Sequence, residues 1–264
     1  MAPLQEAMHD LLDRQLPIAV PIEIIYGLAA NALDAEPVAG IFSAKGRPAD
    51  NSQIRTPLAA IGGKIRLILD GGACDVGVES TVVDGLPSPG VIKVLRPGGL
   101  TVEELQRVLG PGTKVLVHKR DYEDPEIEHV PTTPGMKYRH YSPTTPVVLL
   151  LRTPPPEGKK AETIHDILDE LSPQQEDFRV GVLAFSNSPI TLACITTHYH
   201  THRYSLGNRN EPSEAAHRLF DGLLTLDAEG VDVILVEGVE EDREGLAVMN
   251  RLRKAAGEVR YIWG

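Results

Sequence analysis

The strongest constraint in this sequence is the alternation of short apolar segments with helical ones in its second half. Three runs are dominated by aliphatic residues and are short enough for strands: VVLLL (147–151), RVGVLAF (179–185) and VDVILVEG (231–238). Helical periodicity follows each of them, at 161–171, 213–228 and 245–257. Strands that are apolar on both faces and alternate with helices are typical of a parallel sheet covered on both sides. We therefore predict a three-layer α/β domain over residues 147–264.

The first half of the chain has the periodicities of a second α/β unit. Apolar residues have helical spacing at 4–14 and 35–44. Three strands are predicted, in KIRLILDGG (64–72), ESTVVDG (79–85) and VIKVLRPGG (91–99). Gly85 is expected to end the second of these strands. Strands followed by a capped helix indicate a mixed α/β domain over residues 1–116.

The helix after the third strand has a complete local signature. Thr101 and Glu104 have the spacing of a capping box, in which each side chain accepts a hydrogen bond from the other residue's backbone. Gly110 is placed to end the helix. We expect its apolar side chains to face inward, namely Leu105, Val108 and Leu109.

Residues 117–146 predict an extended linker, because prolines interrupt them and aliphatic residues are few. Within it, residues 137–143 form a dense run of cationic, hydrogen-bonding and aromatic groups, KYRHYSP. Loops that carry such groups often bind ligands, and two aromatic rings could stack on a base. An ordinary polar linker is the alternative.

Charge and cysteine content narrow the class of protein. The net charge is -11 and neither half is basic, which argues against a protein that works mainly by clamping nucleic acid. Cys74 and Cys194 match no metal or redox spacing, so a disulfide-built secreted domain is not expected. The sequence has no apolar run of membrane-spanning length and no secretion signal at its N-terminus, so we expect a cytoplasmic protein with no membrane partner.

Three positions in the first half could bind a ligand. Lys45 and Arg47 flank a glycine in a turn and could grip phosphates, with Asn51 just beyond as a hydrogen-bonding group. Ser80 opens a predicted strand, and Arg96 precedes the N-terminus of the capped helix, where anions are favoured. The alternatives are a solvated basic turn, an ordinary strand serine and a turn with an exposed arginine.

Three other polar clusters favour structural interpretations. His198, His200 and His202 alternate and would share one face of a strand, which could bind a metal. No carboxylate or cysteine accompanies them at ligand spacing, so a solvated edge strand is the favoured interpretation. Residues 211–214 are interpreted as a helix cap and residues 250–254 as the solvated face of a late helix.

Taken in order, several segments resemble the two-domain threonylcarbamoyl-AMP synthases. In the first half they are PIEIIYGLAANAL (21–33), AKGRPADN (44–51), GVESTVVD (77–84) and LRPGGLT (95–101). In the second half they are PGMKYRHYSP (134–143), SLG (205–207), AAHRLFDGLLTLD (215–227) and GLAVMNRLRKAA (245–256). The resemblance implies an α/β chain with a shortened YrdC-like domain of twisted mixed sheet at 1–116, a linker at 117–146 and a smaller Rossmann-like domain at 147–264.

The resemblance implies a nucleotidyltransferase that makes threonylcarbamoyl-AMP and pyrophosphate from L-threonine, bicarbonate and ATP, with Mg accompanying ATP. A separate tRNA-modifying complex would then transfer the threonylcarbamoyl group to an adenosine of tRNA. The synthase itself need not bind tRNA, which agrees with its acidic charge.

The resemblance also implies roles for seven residues. Lys45 and Arg47 would be catalytic and, with Asn51, would contact the triphosphate or carbamate. Ser80 would contact L-threonine and Arg96 the nucleotide. His140 and Tyr141 of the linker would close over ATP. No residue is assigned to a metal.

The sequence departs from the family pattern in two places. Ile22 and Ile24 stand where the family has threonines that line the threonine pocket, so recognition of the polar groups of L-threonine is expected to weaken. The chain also passes from residues 50–61 directly to 63–72, omitting a histidine-bearing strand and the segment whose serine and asparagine complete the family's site. A shortening near residues 51–58 should leave apolar faces uncovered.

Three interpretations follow from these departures. The chain is a threonylcarbamoyl-AMP synthase, active or descended from one. Alternatively, it is a non-catalytic paralogue whose second domain binds a nucleotide or a partner. The third interpretation is an incomplete gene model.

Overall fold

A computed structural model describes residues 2–20, 27–45, 65–72, 74–118, 121, 143–172, 177–195 and 198–263. Within these residues the chain forms three sheets and seven helices. This content confirms the predicted α/β class. In the described part of the chain, no helix has both the length and the apolar character needed to cross a bilayer.

The first sheet has three short strands. Strand β1 (Ile18–Val20) lies between β2 (Gly27–Ala29), which is antiparallel to it, and β3 (Leu67–Ile68), which is parallel. The predicted strand over 64–72 therefore narrows to two residues. Helix α1 (Ala2–Leu12) precedes this sheet and α2 (Ala35–Lys45) follows β2.

Helix α1 keeps an apolar stripe in contact with solvent. Leu4, Met8 and Leu12 follow one another at intervals of four residues, and each is between 58% and 64% exposed. The other face of the helix contributes the buried Ala7. The shortening of this unit stays a prediction, with which an exposed apolar stripe is compatible.

The second sheet carries the predicted Ser80 and Arg96 at one end. Its central strand β5 (Val91–Arg96) pairs antiparallel with β4 (Val82–Ser88) and parallel with β6 (Lys114–Val117). The prediction that the strand stops at Gly85 is wrong, because β4 continues through that residue. It does so by a register shift between Asp84 and Ser88, which absorbs the glycine without ending the pairing.

Helix α3 (Val102–Leu109) connects β5 to β6 and begins with the predicted capping box. The Thr101 hydroxyl accepts from the Glu104 N–H at 3.2 Å, and the Glu104 carboxylate accepts from the Thr101 N–H at 2.9 Å. The inward orientation predicted for Val108 and Leu109 is wrong, since they are 76% and 38% exposed. Leu105 packs on the buried cluster of Val94 and Leu246, because a two-turn crossover can press only one narrow face on the sheet.

The second half forms the predicted parallel sheet, with six strands. They are β7 (Val147–Leu151), β8 (Ala161–Glu162), β9 (Arg179–Ala184), β10 (His200–Ser205), β11 (Val233–Glu237) and β12 (Glu258–Ile262). Their spatial order is β10-β9-β11-β7-β12-β8, and every neighbouring pair is parallel.

Four helices cover the two faces of this sheet. They are α4 (Ile164–Leu171), α5 (Pro189–Ile195), α6 (Pro212–Ala228) and α7 (Gly245–Ala255). Alternate residues of β7 separate the layers: Val147 and Leu149 pack with α6 and α7, whereas Val148 and Leu150 pack with α4 and α5. This arrangement confirms the three-layer prediction.

The cap predicted at residues 211–214 is wrong. Helix α6 begins at Pro212, and no side chain accepts a hydrogen bond from its first turn. Proline suits that position because it lacks the N–H that a cap would satisfy. Glu214 instead accepts from the backbone N–H of Asn208 at 2.6 Å.

Candidate active site

The structure describes the side chains of two of the seven predicted site residues, Ser80 and Arg96. Lys45 is the last residue of α2. The remaining predictions, Arg47, Asn51, His140 and Tyr141, lie outside the described residues. Their roles therefore stay predictions, and the local geometry rests on the segment from residue 76 to residue 101.

Ser80 and Arg96 lie together at the open end of the β4–β5 ladder. Arg96 ends β5 opposite Val82, and its side chain folds back over the entry to β4. Its Nη2 and Nε donate to the Ser80 carbonyl oxygen at 3.0 and 3.3 Å. Arg96 is 3% exposed, so the guanidinium fastens the backbone of Ser80 from inside the fold.

The turn after β5 packs its backbone directly on the segment before β4. A Cβ on Gly98 would lie 2.1 Å from the Glu79 carbonyl oxygen, so any larger residue would push the two segments apart. The N–H of Gly99 donates to the same oxygen at 2.8 Å. The hydroxyl of Thr81 donates to the Leu100 carbonyl at 2.5 Å. Ser80 is therefore held from both sides by short contacts.

Glu79, immediately before Ser80, is buried and paired with an arginine of the other half of the chain. Its Oε2 accepts from Arg251 Nε at 2.5 Å, and both side chains are 3% exposed. Burial alone would raise the pKa of Glu79, but the charges of Arg251 and Arg96 outweigh it and lower the pKa below its usual range. The carboxylate is thus held in its charged form.

The interpretation of residues 250–254 as a solvated face is wrong for Arg251. Arg251 lies on the inner side of α7, 4% exposed, among Val248, Met249 and Leu252. The sequence places charged and apolar residues in the same turns of this helix, so periodicity alone cannot show which arginine is covered. The neighbouring Arg253 does lie at the surface and pairs with Glu241.

The segment before Glu79 is embedded in the second half of the chain. Val78 is fully buried and belongs to the core cluster formed by the six-stranded sheet with α6 and α7. Gly77 has a φ of +74°, and a Cβ there would lie 2.4 Å from the Cα of His217. The residues around Ser80 are consequently positioned by both halves of the fold.

Of the three alternating histidines, His200 and His202 lie on the edge strand β10 and His198 lies before it, so the prediction of one strand face for all three is wrong. His202 has partners of its own. Its Nδ1 lies 2.9 Å from Glu229 Oε2, and its Nε2 lies 3.2 Å from Arg179 Nη2. Among the described residues, no three His, Cys, Asp or Glu side chains are grouped as ligands of a metal would be. The structure therefore provides no support for a metal site at this strand.

A cavity of about 500 Å³ opens at the carboxyl ends of β9 and β10. Its lining includes Phe185, Asn187 and Asn208. Behind it lies the fully buried carboxylate of Glu237, the last residue of β11, which accepts from the Phe185 N–H at 3.1 Å and pairs with Arg209. In open α/β sheets, ligands bind at the carboxyl edge between two adjacent strands whose following connections lead to opposite sides. The strands β9 and β11 are such a pair, since β9 leads to β10 on one side and β11 leads to β12 on the other.

Comparison with known proteins gives one family. Residues 100–257 match the family model described as threonylcarbamoyl-AMP synthase, C-terminal domain. The chain is 31% identical to the threonylcarbamoyl-AMP synthase of Pyrococcus abyssi, and the match covers 91% of this chain and 90% of that protein. That alignment runs over 330 residues, whereas 91% of this 264-residue chain is about 240 residues, so about 90 of its positions have no counterpart here. The internal shortening near residues 51–58 stays a prediction.

Two further relatives with the same description are longer. The chain is 46% identical to the Schizosaccharomyces pombe protein over 202 residues, covering 75% of this chain and 46% of that protein. It is 36% identical to the Bacillus subtilis protein over 198 residues, covering 74% and 50%. The chain therefore spans about half the length of these two relatives.

Solved structures give the same result. The crystal structure of Pyrococcus abyssi Sua5 complexed with L-threonine matches with a TM-score of 0.67 and 27% identity, over 97% of this chain and 95% of that one. A double-alanine variant of the same protein matches with a TM-score of 0.68 and 27% identity, over 99% and 94%.

Proposed function

Because the chain belongs to the threonylcarbamoyl-AMP synthase family, we propose that it is an L-threonylcarbamoyladenylate synthase. It would join L-threonine, bicarbonate and Mg-ATP into threonylcarbamoyl-AMP and pyrophosphate in the cytoplasm. A separate tRNA-modifying complex would consume the product. The observation that carries the proposal is the match over nearly the whole chain to a structure that contains L-threonine.

The proposed reaction has two bond-forming steps. Bicarbonate takes up a proton and loses water to give carbon dioxide, and the neutral amine of L-threonine adds to it, releasing a proton and forming a carbamate. A carbamate oxygen then bonds to the α-phosphorus of ATP, and the bond from that phosphorus to the bridging oxygen breaks, releasing pyrophosphate. Both reactants are anionic, so the site must neutralise charge and align them. We assign this neutralisation to Lys45 and Arg47, with Asn51 as a further contact.

The contacts of the described residues support different roles for Ser80 and Arg96. Ser80 lies at a strand entry held from both sides, which suits a side chain that must present one hydrogen-bonding group to L-threonine. Arg96 donates two hydrogen bonds to the Ser80 carbonyl, so it fixes the backbone at the start of the strand. We propose that its positive charge also contacts the nucleotide. His140 and Tyr141 would approach ATP from the linker. The domain limits 1–116, 117–146 and 147–264 remain part of this proposal.

The proposal is tested by pyrophosphate release. The protein is supplied with Mg-ATP and bicarbonate, with and without L-threonine, and a threonine-dependent release is expected. Ser80→Ala is expected to raise the KM for L-threonine, whereas Ser213→Ala, a change on the exposed first turn of α6, should leave it unchanged. Absence of threonine-dependent release from folded protein would overturn the assigned activity.

A second candidate function is favoured by the cavity at β9 and β10. A non-catalytic paralogue would bind a nucleotide there, at the carboxyl edge of the parallel sheet. Calorimetric titration of the full chain with ATP distinguishes the two functions when repeated on Asn187→Leu, which fills the cavity edge. Loss of ATP binding in this variant supports the second function. Unchanged binding places ATP elsewhere and rejects it.

The incomplete gene model is tested on the transcript. Sequencing across the codons for residues 51–55 is expected to return the continuous frame of this chain. Additional in-frame codons at that point would instead show that the gene encodes a longer product, whose pyrophosphate release is then measured in the same assay.

A further inference from the structure

The pair formed by Glu79 and Arg251 connects the two halves of the fold at the entry to the candidate site. The two residues are 172 positions apart in sequence, and their side chains meet at 2.5 Å in the interior. Glu79 is bonded through the backbone to Ser80, whose carbonyl oxygen is held by Arg96. Arg251, Glu79, Ser80 and Arg96 therefore form one continuous chain of contacts from α7 to the end of β5.

The pair is poorly arranged for stability. Removing two charges from water is costly, and a buried ion pair is often no more stabilising than apolar residues of the same volume. Arg251 Nη2 is buried without a hydrogen-bond partner among the described residues, which adds a further cost. A pair with these costs is better explained by the geometry it imposes than by the stability it contributes.

Apolar contacts already join the two halves beside this pair. Val78 lies inside the core of the six-stranded sheet, and Leu246 of α7 packs with Val94 and Val117 of the second small sheet. These contacts are non-directional and resist separation more than sliding. The hydrogen-bonded ion pair supplies direction, because it fixes one atom of α7 relative to one atom beside Ser80.

We propose that Arg251 is a positioning residue of the synthase site, through which helix α7 holds Glu79 and thereby sets the position of Ser80 for L-threonine. This role rests on the proposed function, since it names the substrate that Ser80 receives. The residue itself does not touch the substrate. It lies in the domain that the sequence separates from the candidate site, and it gives that domain a part in recognising L-threonine.

The test uses a pair of double variants of the full chain. Glu79→Gln with Arg251→Met removes both charges of the pair while keeping similar volumes, so that neither partner stays buried and charged without the other. Arg96 keeps its two hydrogen bonds to the Ser80 carbonyl in this variant. The control, Glu241→Gln with Arg253→Met, removes an exposed ion pair whose arginine lies on the same helix, two residues after Arg251. Both proteins are first compared with the parent by thermal unfolding.

Two readouts are then measured on each protein. Hydrogen exchange is expected to rise in peptides covering residues 78–82 and 98–101 of the buried-pair variant, but to stay at the parent rate in β7 and β11. Calorimetry is expected to show L-threonine binding weakened roughly 10- to 100-fold, as small displacements of positioning groups do. The control should match the parent in both readouts.

The outcomes separate this role from the proposed function. A buried-pair variant with parent-like exchange at 78–82 and 98–101 overturns the positioning role, whether or not the parent binds L-threonine. Faster exchange with unchanged L-threonine affinity also overturns it. A parent that binds no L-threonine and releases no pyrophosphate overturns the proposed function, and with it the claim that Ser80 is positioned for that substrate.

Discussion

Gly77 lies directly against the backbone of His217, so that a Cβ on Gly77 would sit 2.4 Å from the His217 Cα. The first residue precedes the candidate site and the second lies on α6 in the other half of the chain. Gly77 also has a φ of +74°, which side chains rarely adopt. The contact couples local backbone conformation to the packing of the two halves.

We predict that Gly77→Ala lowers the free energy of unfolding by more than about 2 kcal/mol, since strain and overlap add. Gly72→Ala is a matched control, because Gly72 has a φ of +85° but open space around its Cα. It should show the cost of strain alone. Urea unfolding of both variants measures the difference, and equal losses would contradict a close approach at Gly77.

The hydrogen bonds of Asp227 lead us to expect that the free energy of unfolding depends on pH. Its carboxylate accepts from the N–H groups of Thr144 and Thr145 and from both hydroxyls, at 2.7–3.3 Å. Burial alone would raise the pKa of Asp227, but these hydrogen bonds lower it below the ordinary value of 3.8. A lowered pKa stabilises the fold above the pKa of the unfolded chain, and that stabilisation is lost as pH falls through the folded pKa.

We therefore expect Asp227→Asn to lose about 1 kcal/mol of unfolding free energy at neutral pH. The loss should shrink as pH falls below 3.8, the ordinary value for Asp, because the unfolded chain then takes up a proton that the folded carboxylate takes up only at a lower pH. Urea unfolding at a series of pH values measures this loss of unfolding free energy. Asp232→Asn, which changes a second aspartate at the same end of the sheet, is measured in the same way for comparison. A difference that stays constant through the acid range would be evidence against the lowered pKa.

The two cysteines are expected to differ in reactivity. Cys194 lies on α5 with no exposed surface, and burial raises the pKa of its thiol to about 12. Cys74 is partly exposed. Thiolates are the reactive form, so iodoacetamide at pH 8 should label Cys74 in the native protein and both residues after denaturation. Peptide mapping reports the sites, and rapid native labelling of Cys194 would contradict its burial.

Arg96→Lys tests whether the forked guanidinium is needed at Ser80. Lysine keeps the charge but has a single nitrogen, so the two bonds that Arg96 makes to one carbonyl cannot both be replaced. We expect threonine-dependent pyrophosphate release to fall about tenfold with a modest loss of stability. Arg107→Lys, an exposed change on α3, serves as the control. Parent-like kinetics in Arg96→Lys would show that charge alone suffices.

Local signals in the sequence predicted local structure well. The capping box at Thr101 and Glu104 needs only residues three apart, and both of its hydrogen bonds are present. The aliphatic runs at 147–151 and 179–185 form strands buried on both faces, because such runs are stable only inside a covered sheet. Strand β12 was not predicted, since EVRYI mixes charged and apolar residues at a place where the sheet is only partly covered.

Burial that depends on contacts between residues far apart in sequence was not predicted correctly. Val108 has the spacing of a core residue and is 76% exposed, because the crossover helix offers the sheet only one face. The order of the motifs was enough to indicate the family. No spacing in the sequence indicated that Glu79, next to Ser80, pairs with Arg251.

The sequence by itself determined the elements whose stability comes from neighbours along the chain, and the succession of motifs that marks the family. Only the tertiary structure decided which charged residues are buried. Glu79 and Arg251 stand in segments that the sequence presents as an ordinary strand entry and a solvated helix face. Their burial follows from α7 packing against the segment before β4, a contact between residues 172 positions apart. Such a contact is selected by the shape and charge of two assembled surfaces, and neither surface exists until the chain has folded.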